Sequence, residues 1–178
     1  MSDRTPIQAA HQRLQGQRLR LRALVPEDAA FVLALLTDAE FLRQIGDRGV
    51  HDLASAERYI REGPQASHTR HGFGLDAIEL RDGRCIGICG LLRRDTHPDV
   101  ELGFALLPQA RGRGYAREAA ALVLREATGR LGLRRLVALT APDNAPSIRI
   151  LRALGFRFER MAALTPHGPT RCFVYEVT

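Results

Sequence analysis

From Arg18 to Arg22 the chain alternates arginine with leucine, so that Leu19, Leu21 and Ala23 share one side of a half-buried strand. Pro26, followed by Glu27 and Asp28, suits the first turn of a helix, which the apolar run continues through Leu36. Asp52 is placed to cap a second helical stretch through about Arg61. Residues 72–80 and 84–92 read as strands around Asp82-Gly83, a two-residue hairpin signal. A further strand over 99–107 ends at Pro108. A helix over about 114–128 carries Ala116, Ala119, Ala120, Val123, Leu124 and Ala127 at helical period. Residues 133–140 read as a strand, 145–154 as a helix, and 155–160 and 171–177 as two closing strands.

The order β-α-α-β-β-β-α-β-α-β-β predicts an α+β, mixed α/β domain, because the middle strands meet through a hairpin while later ones alternate with helices. Residues 1–16 read as a flexible N-terminal arm. Residues 17–178 read as a single domain, since no linker or repeat divides them. At 178 residues, 45% hydrophobic and 26% charged, the composition is that of a globular chain with a full core.

The formal net charge is +6 and all 26 basic residues are arginine, whose planar fork suits phosphate and carboxylate. Direct nucleic-acid binding is not expected: the arginines form no tail, and aromatics are 6% with no Trp to stack bases. Cys85, Cys89 and Cys172 are odd in number without C-x-x-C spacing, which argues for a reducing compartment rather than a disulfide framework. Cys85 and Cys89, four apart, are expected on one strand face as small core residues. With no apolar leader and no run long enough to span a bilayer, a cytoplasmic protein without membrane contact is expected. A homodimer is among the assemblies left open. The histidines at 68 and 71 read as loop residues, and no His, Cys or acidic set has ligand spacing, so no metal is expected.

The most informative segment is the strand running into Gln109-Ala-Arg-Gly-Arg-Gly114, which opens the helix at 114. Gly112 and Gly114 let a backbone approach a ligand closely and take positive φ. The helix start offers free N–H groups and a dipole that favours an anion, and Arg111, Arg113 and Arg117 add charge. A diphosphate fits; so does a helix start with two glycines and no ligand. A nucleotide-binding P-loop needs a lysine, and the chain has none. A dinucleotide fingerprint would want glycine where Arg117 stands, and an acidic residue about twenty residues on.

The Q-x-x-G-x-G turn resembles the acetyl-CoA pyrophosphate loop of GNAT acetyltransferases. Asn144-Ala-Pro-Ser147 followed by Leu154-Gly-Phe156 resembles the second marker of that superfamily, an N-x-x-S helix ending in L-G-F. Within the superfamily, the Arg18–Arg22 strand, Pro26-Glu-Asp28 and Val100-Glu-Leu-Gly-Phe104 are similar to the bacterial ribosomal-protein N-terminal acetyltransferase group. The resemblance implies a central, mostly antiparallel twisted sheet of about seven strands flanked by about four helices. It also implies a splay between the fourth and fifth strands, where pantetheine would enter.

It further implies an acyltransferase with acetyl-CoA as co-substrate and a primary amine, a protein N-terminus or small molecule, as acceptor, reacting directly in a ternary complex. Backbone groups of Phe104, Ala105 and Leu106 would pair with pantetheine as an added strand does. Main-chain N–H groups of Arg111, Gly112, Arg113, Gly114, Tyr115 and Ala116 would wrap the pyrophosphate. Asn144 would bond the cofactor arm near the thioester. Many members of the family supply a thiolate donor from a Tyr on the helix after N-x-x-S; residues 144–155 hold none. Ser147 is the candidate to position a water or the thiol, or it caps the helix. Glu101 shares a strand face with the small residues Gly103 and Ala105, and is the candidate base for the amine proton; the alternative is an exposed or arginine-paired carboxylate. The acceptor pocket would come from 37–75 and 160–172. The competing functional reading is a CoA-binding sensor with the same fold and no turnover.

Overall fold

A computed structural model describes residues 14–95, 97–165 and 168–177, with side chains described for all of these but 163–165. The expected flexible arm lies outside the described residues apart from 14–16. The strands are β1 (Leu14–Gln15), β2 (Leu19–Ala23), β3 (Leu75–Leu80), β4 (Cys85–Arg93), β5 (Val100–Leu106), β6 (Arg135–Thr140), β7 (Arg157–Thr165) and β8 (Gly168–Glu176). The helices are α1 (Ala29–Leu36), α2 (Ala39–Gln44), α3 (Leu53–Ile60), α4 (Ala66–His71), α5 (Tyr115–Thr128) and α6 (Ala145–Ala153). All eight strands lie in one sheet, ordered β1-β2-β3-β4-β5-β6-β8-β7. The strand beyond the expected seven is the short edge β1, where Leu14 and Gln15 pair with Leu21 and Arg20.

Every pairing is antiparallel except β5 with β6. That parallel pair lasts only for Val100↔Leu136 and Glu101↔Val137. Beyond it β5 stays with β4 as far as Leu106↔Gly87, while β6 stays with β8 as far as Thr140↔Arg171. The sheet therefore opens between β5 and β6, the fourth and fifth of the seven strands read from the sequence. The second half of β5 keeps one free edge.

Two cores cover the two faces. On one, Leu19, Leu21, Val100 and Leu102 pack with the Ala119/Ala120/Val123 stripe of α5 and with Ile148 and Leu151 of α6. On the other, Val32, Leu35 and Leu36 of α1 pack with Phe41, Ile60 and Ile88. Burying a β-branched or leucyl side chain of this kind contributes about 1.5–3 kcal/mol. Beneath α1 the polar side of β2 is also sheltered. Arg22 holds both oxygens of Asp28 at 2.8 Å, and Arg20 and Arg22 both hold Glu79. The arginine pairs hold the Glu79 carboxyl below its ordinary range even though burial works to raise it.

Four local expectations are corrected. The β3–β4 hairpin closes with three residues, not two: Leu80 N–H bonds Arg84 O, Gly83 N–H bonds Leu80 O, and Gly83 takes φ 91°. Cys85 and Cys89 fall on opposite faces, Cys85 beside the α1 core and Cys89 in the α5 core. The cause is a register shift, Ile78↔Gly87 followed by Glu79↔Cys85, which inserts Ile86 and breaks the period of two. Residues 61–71 are helical: the helix runs on from Ile60 through a π-type turn, Arg61–Gln65, into α4, so His68 and His71 are on a helix. His68 Nε2 lies 3.0 Å from Asp76 Oδ1. Finally, Gly72 in the left-handed region ends that helix, so β3 begins at Leu75.

Candidate active site

The glycine turn crosses from β5 to α5. Pro108–Ala110 forms a short 3-10 turn, and Gly112 and Gly114 take φ 73° and 79°. Gly114 is the N-cap of α5, and among the described residues no side chain caps this end. The turn's first helical bond is Glu118 N–H to Gly114 O at 3.1 Å. The N–H groups of Tyr115, Ala116 and Arg117 precede it and have no helical acceptor. The outer side of the turn is braced: Arg18 bonds Glu118 and Arg113 O, and lies 4.7 Å over the Tyr115 ring. The inner side is braced by Arg111, whose Nε bonds Leu106 O at 3.1 Å and whose guanidinium pairs with Asp38. Asp38 also caps α2 by accepting from Phe41 N–H at 3.1 Å. Burial works to raise the Asp38 carboxyl, but Arg111 and the Phe41 N–H hold it below its ordinary range. One carboxylate thus locks α2 to the glycine turn.

A cavity of about 600 Å³ lies between this turn, the free edge of β5, α2 and α6. Phe104, Ala105, Leu106, Arg111, Gly112 and Gly114 line it, with Ala116, Asn144 and Ser147. Arg113 and Tyr115 do not; on the outer side of the turn Arg18 bonds the Arg113 carbonyl and lies over the Tyr115 ring. A second cavity, about 470 Å³, opens on the β3–β4 side of the splay and holds Glu101, Gly103 and Ala105. The two meet: Phe41, Gln44, Phe104, Ala105, Asn144 and Ser147 line both. The second cavity draws on residues of 41–75 and on Pro169 and Thr170, within the stretches read as acceptor-forming.

Strand β5 pairs with β4 in unbroken register, so no bulge displaces its faces. Val100 and Leu102 point to the α5 core, and Glu101, Gly103 and Ala105 to the second cavity. Glu101 is 5% exposed. Arg94 takes both its oxygens, Nε to Oε2 at 2.5 Å and Nη2 to Oε1 at 3.3 Å, and His97 Nε2 stands 3.7 Å from Oε2. The arginine pairing weighed from the sequence is present, and its carboxylate is buried rather than exposed. Asn144 Oδ1 accepts from Ser147 N–H at 3.2 Å. Asn144 is thus the cap of α6, and Ser147 is not.

Sequence reasoning missed Phe41 and Gln44, which sit where the cavities join. Helix α2 has six residues, too few to show a period; only its cap, Asp38, was a usable signal. Arg94, Arg48 and Tyr59 were also missed, because nothing local in the sequence ties them to β5.

A wedge opened at a free strand edge, closed at one end by a glycine turn with unpaired N–H donors, fits a long ligand with an amide arm and a diphosphate. These are the features of a coenzyme A site. Residues 18–157 match the family described as the Acetyltransferase (GNAT) domain. The chain belongs to this family. It is accordingly an acyltransferase with acetyl-CoA as its co-substrate.

The chain is 28% identical over 148 residues to the uncharacterized N-acetyltransferase YoaA of Bacillus subtilis, covering 82% of this chain and 83% of that one. A solved acetyltransferase from Agrobacterium tumefaciens superposes with a TM-score of 0.81 at 27% identity, covering 94% and 95% of the two chains. The fold is shared with RimL, a ribosomal L7/L12 alpha-N-protein acetyltransferase in complex with coenzyme A (TM-score 0.80, 16% identity, 93% and 98% covered). Among the described residues no group of three or more His, Cys, Asp or Glu could hold a metal ion, and no helix is long and apolar enough to cross a membrane.

Proposed function

We propose that the protein is an N-acetyltransferase that passes the acetyl group directly to a primary amine, a peptide N-terminus or small molecule, in a ternary complex. We also propose that residues 17–178 act as one domain and that it works in the cytoplasm. The observation that carries this reading is the meeting of two cavities at Phe104, Ala105, Asn144 and Ser147. One cavity has the form of a cofactor channel; the other is a separate room with a carboxylate on its wall. Backbone of Phe104, Ala105 and Leu106 pairs with the pantetheine arm along the free edge of β5. Main-chain groups from Arg111 to Ala116 hold the pyrophosphate. Asn144 keeps its Oδ1 on the helix cap and turns its amide to the cofactor arm.

The amine nitrogen attacks the thioester carbonyl carbon, a C–N bond forms, the C–S bond breaks, and the thiolate leaves. The amine proton passes through a water to Glu101, which has lone pairs beyond those taken by Arg94. Arg94 fixes the orientation of that carboxylate. Ser147, at the junction, positions a water or the departing thiol.

No covalent acetyl-enzyme is expected. Burial pushes the Cys85 thiol up to about 11 and also raises Cys89 and Cys172, and none of the three lines either cavity. Varying acetyl-CoA against amine should give intersecting double-reciprocal lines, and the protein mass should stay unchanged after mixing with acetyl-CoA alone. Parallel lines with an acetylated cysteine would refute direct transfer. Stabilisation by acetyl-CoA with no turnover on any amine would instead favour a CoA-binding sensor.

A further inference from the structure

The lining of the second cavity carries an excess of fixed positive charge. Four arginines line it, Arg43, Arg48, Arg93 and Arg94, against two carboxylates, Glu62 and Glu101. Arg43 is held at the surface by Glu40 and Asp143, and Arg94 by Glu101. Arg48 differs. Its only hydrogen bond is a long one, 3.5 Å, to Ile45 O, and among the described residues no carboxylate stands within 4 Å of it. It lies within electrostatic reach of Arg94, Tyr59 and Glu101. Its side chain is exposed on the cavity wall, beside the like charge of Arg94. Tyr59 lines the same end of the cavity, and burial pushes its phenol above the ordinary value, so it remains an O–H donor at neutral pH.

Two guanidinium groups, one carboxylate and a half-buried phenol leave this end one negative charge short. An exposed arginine fork on the cavity wall, with no carboxylate within 4 Å among the described residues, is matched in shape and charge by a carboxylate. A polycation entering the same room would meet Arg48 and Arg94 head on.

We propose that the acceptor is a carboxylate-bearing amine, whose anionic group is taken by Arg48 and Tyr59 while its nitrogen reaches the junction of the two cavities. This rests on the amine-acceptor reading above. A cavity of about 470 Å³ has room for a compact ligand of this kind. A free amino acid and a peptide N-terminus with an acidic residue at the second position both present the required pair of groups.

The test is steady-state thiol release from acetyl-CoA with acceptors matched in shape. One arm sets serine against serinamide; the other sets the peptide Ser-Asp-Ala-amide against Ser-Asn-Ala-amide. Spermidine is the cationic control, and all rates are corrected for the free-base fraction of each amine. At least one carboxylate acceptor should exceed its carboxamide by roughly 20-fold in kcat/KM, the effect of one charge-assisted hydrogen bond to the arginine. The arm that shows the preference identifies the source.

Arg48→Met should bring that ratio close to one, and Arg48→Lys should restore part of it. Arg48 lies outside the cofactor cavity, so stabilisation by acetyl-CoA should persist in both variants and report that they are folded. Carboxamides or spermidine used as well as the carboxylates, or a ratio unmoved in Arg48→Met, would overturn this inference and leave the amine reading standing. No turnover with any amine would overturn both.

Discussion

Gly112→Val is expected to raise the KM for acetyl-CoA about 100-fold or more, the loss of two charge-assisted backbone hydrogen bonds to a diphosphate. The far-UV circular dichroism should change little. Among the described residues no atom stands within 4 Å of where a Gly112 Cβ would lie, so packing does not require glycine there. Two other demands do. The backbone takes φ 73°, which a β-branched residue resists. The open space beside it is the mouth of the 600 Å³ cavity, where the pyrophosphate is expected to lie. Gly112→Asn separates the two, because asparagine tolerates the left-handed region while still adding bulk. It should keep the wild-type melting temperature without ligand and lose most of the stabilisation by acetyl-CoA. Normal cofactor affinity in a folded Gly112→Val protein would remove the turn from the binding site.

Glu101→Gln is the second large effect expected, a fall in kcat of roughly 10²-fold with acetyl-CoA binding nearly intact. Glu101 lines the second cavity and not the first, so the cofactor channel is spared. The amide keeps an oxygen for Arg94 but no longer takes a proton. The pH dependence carries a sign. An acceptor protonated below its own pKa needs the base most there, and above that pKa arrives already deprotonated. The deficit should therefore shrink as pH rises, near pH 8 for a peptide N-terminus and near pH 10 for an alkylamine. The variant also leaves the Arg94 charge without its carboxylate, so some loss of stability is expected. That loss would not depend on pH in this way. Wild-type kcat at neutral pH would exclude Glu101 from the chemistry.

What the sequence made legible followed from local pattern. The stripe of α5, the alternation of β2 and β5 and the two glycines each depend on neighbours a few residues away, and the structure places them as read. The Asp82-Gly83 hairpin was visible, but its loop length depended on the Gly83 conformation. The opposite faces of Cys85 and Cys89 follow from one inserted residue, Ile86, which leaves no mark on composition. Helix α2 and the helical run through 61–71 escaped because the first is short and the second contains Gly63 and Pro64, residues that break a helical pattern. The polar end of the second cavity was beyond reach for another reason. Arg48, Tyr59 and Arg94 stand in separate segments that only the fold brings together around the second cavity.

We infer that this wedge transfers acetyl from coenzyme A to nitrogen. The most direct test is the stoichiometry of product to free thiol with isotopically labelled acetyl-CoA, read by mass spectrometry on an acceptor that supports turnover. One N-acetylated amine per coenzyme A released, with the label in a bond stable to hydroxylamine, is the result expected. Thiol released without acetylated amine, or label recovered in a hydroxylamine-labile ester, would contradict it.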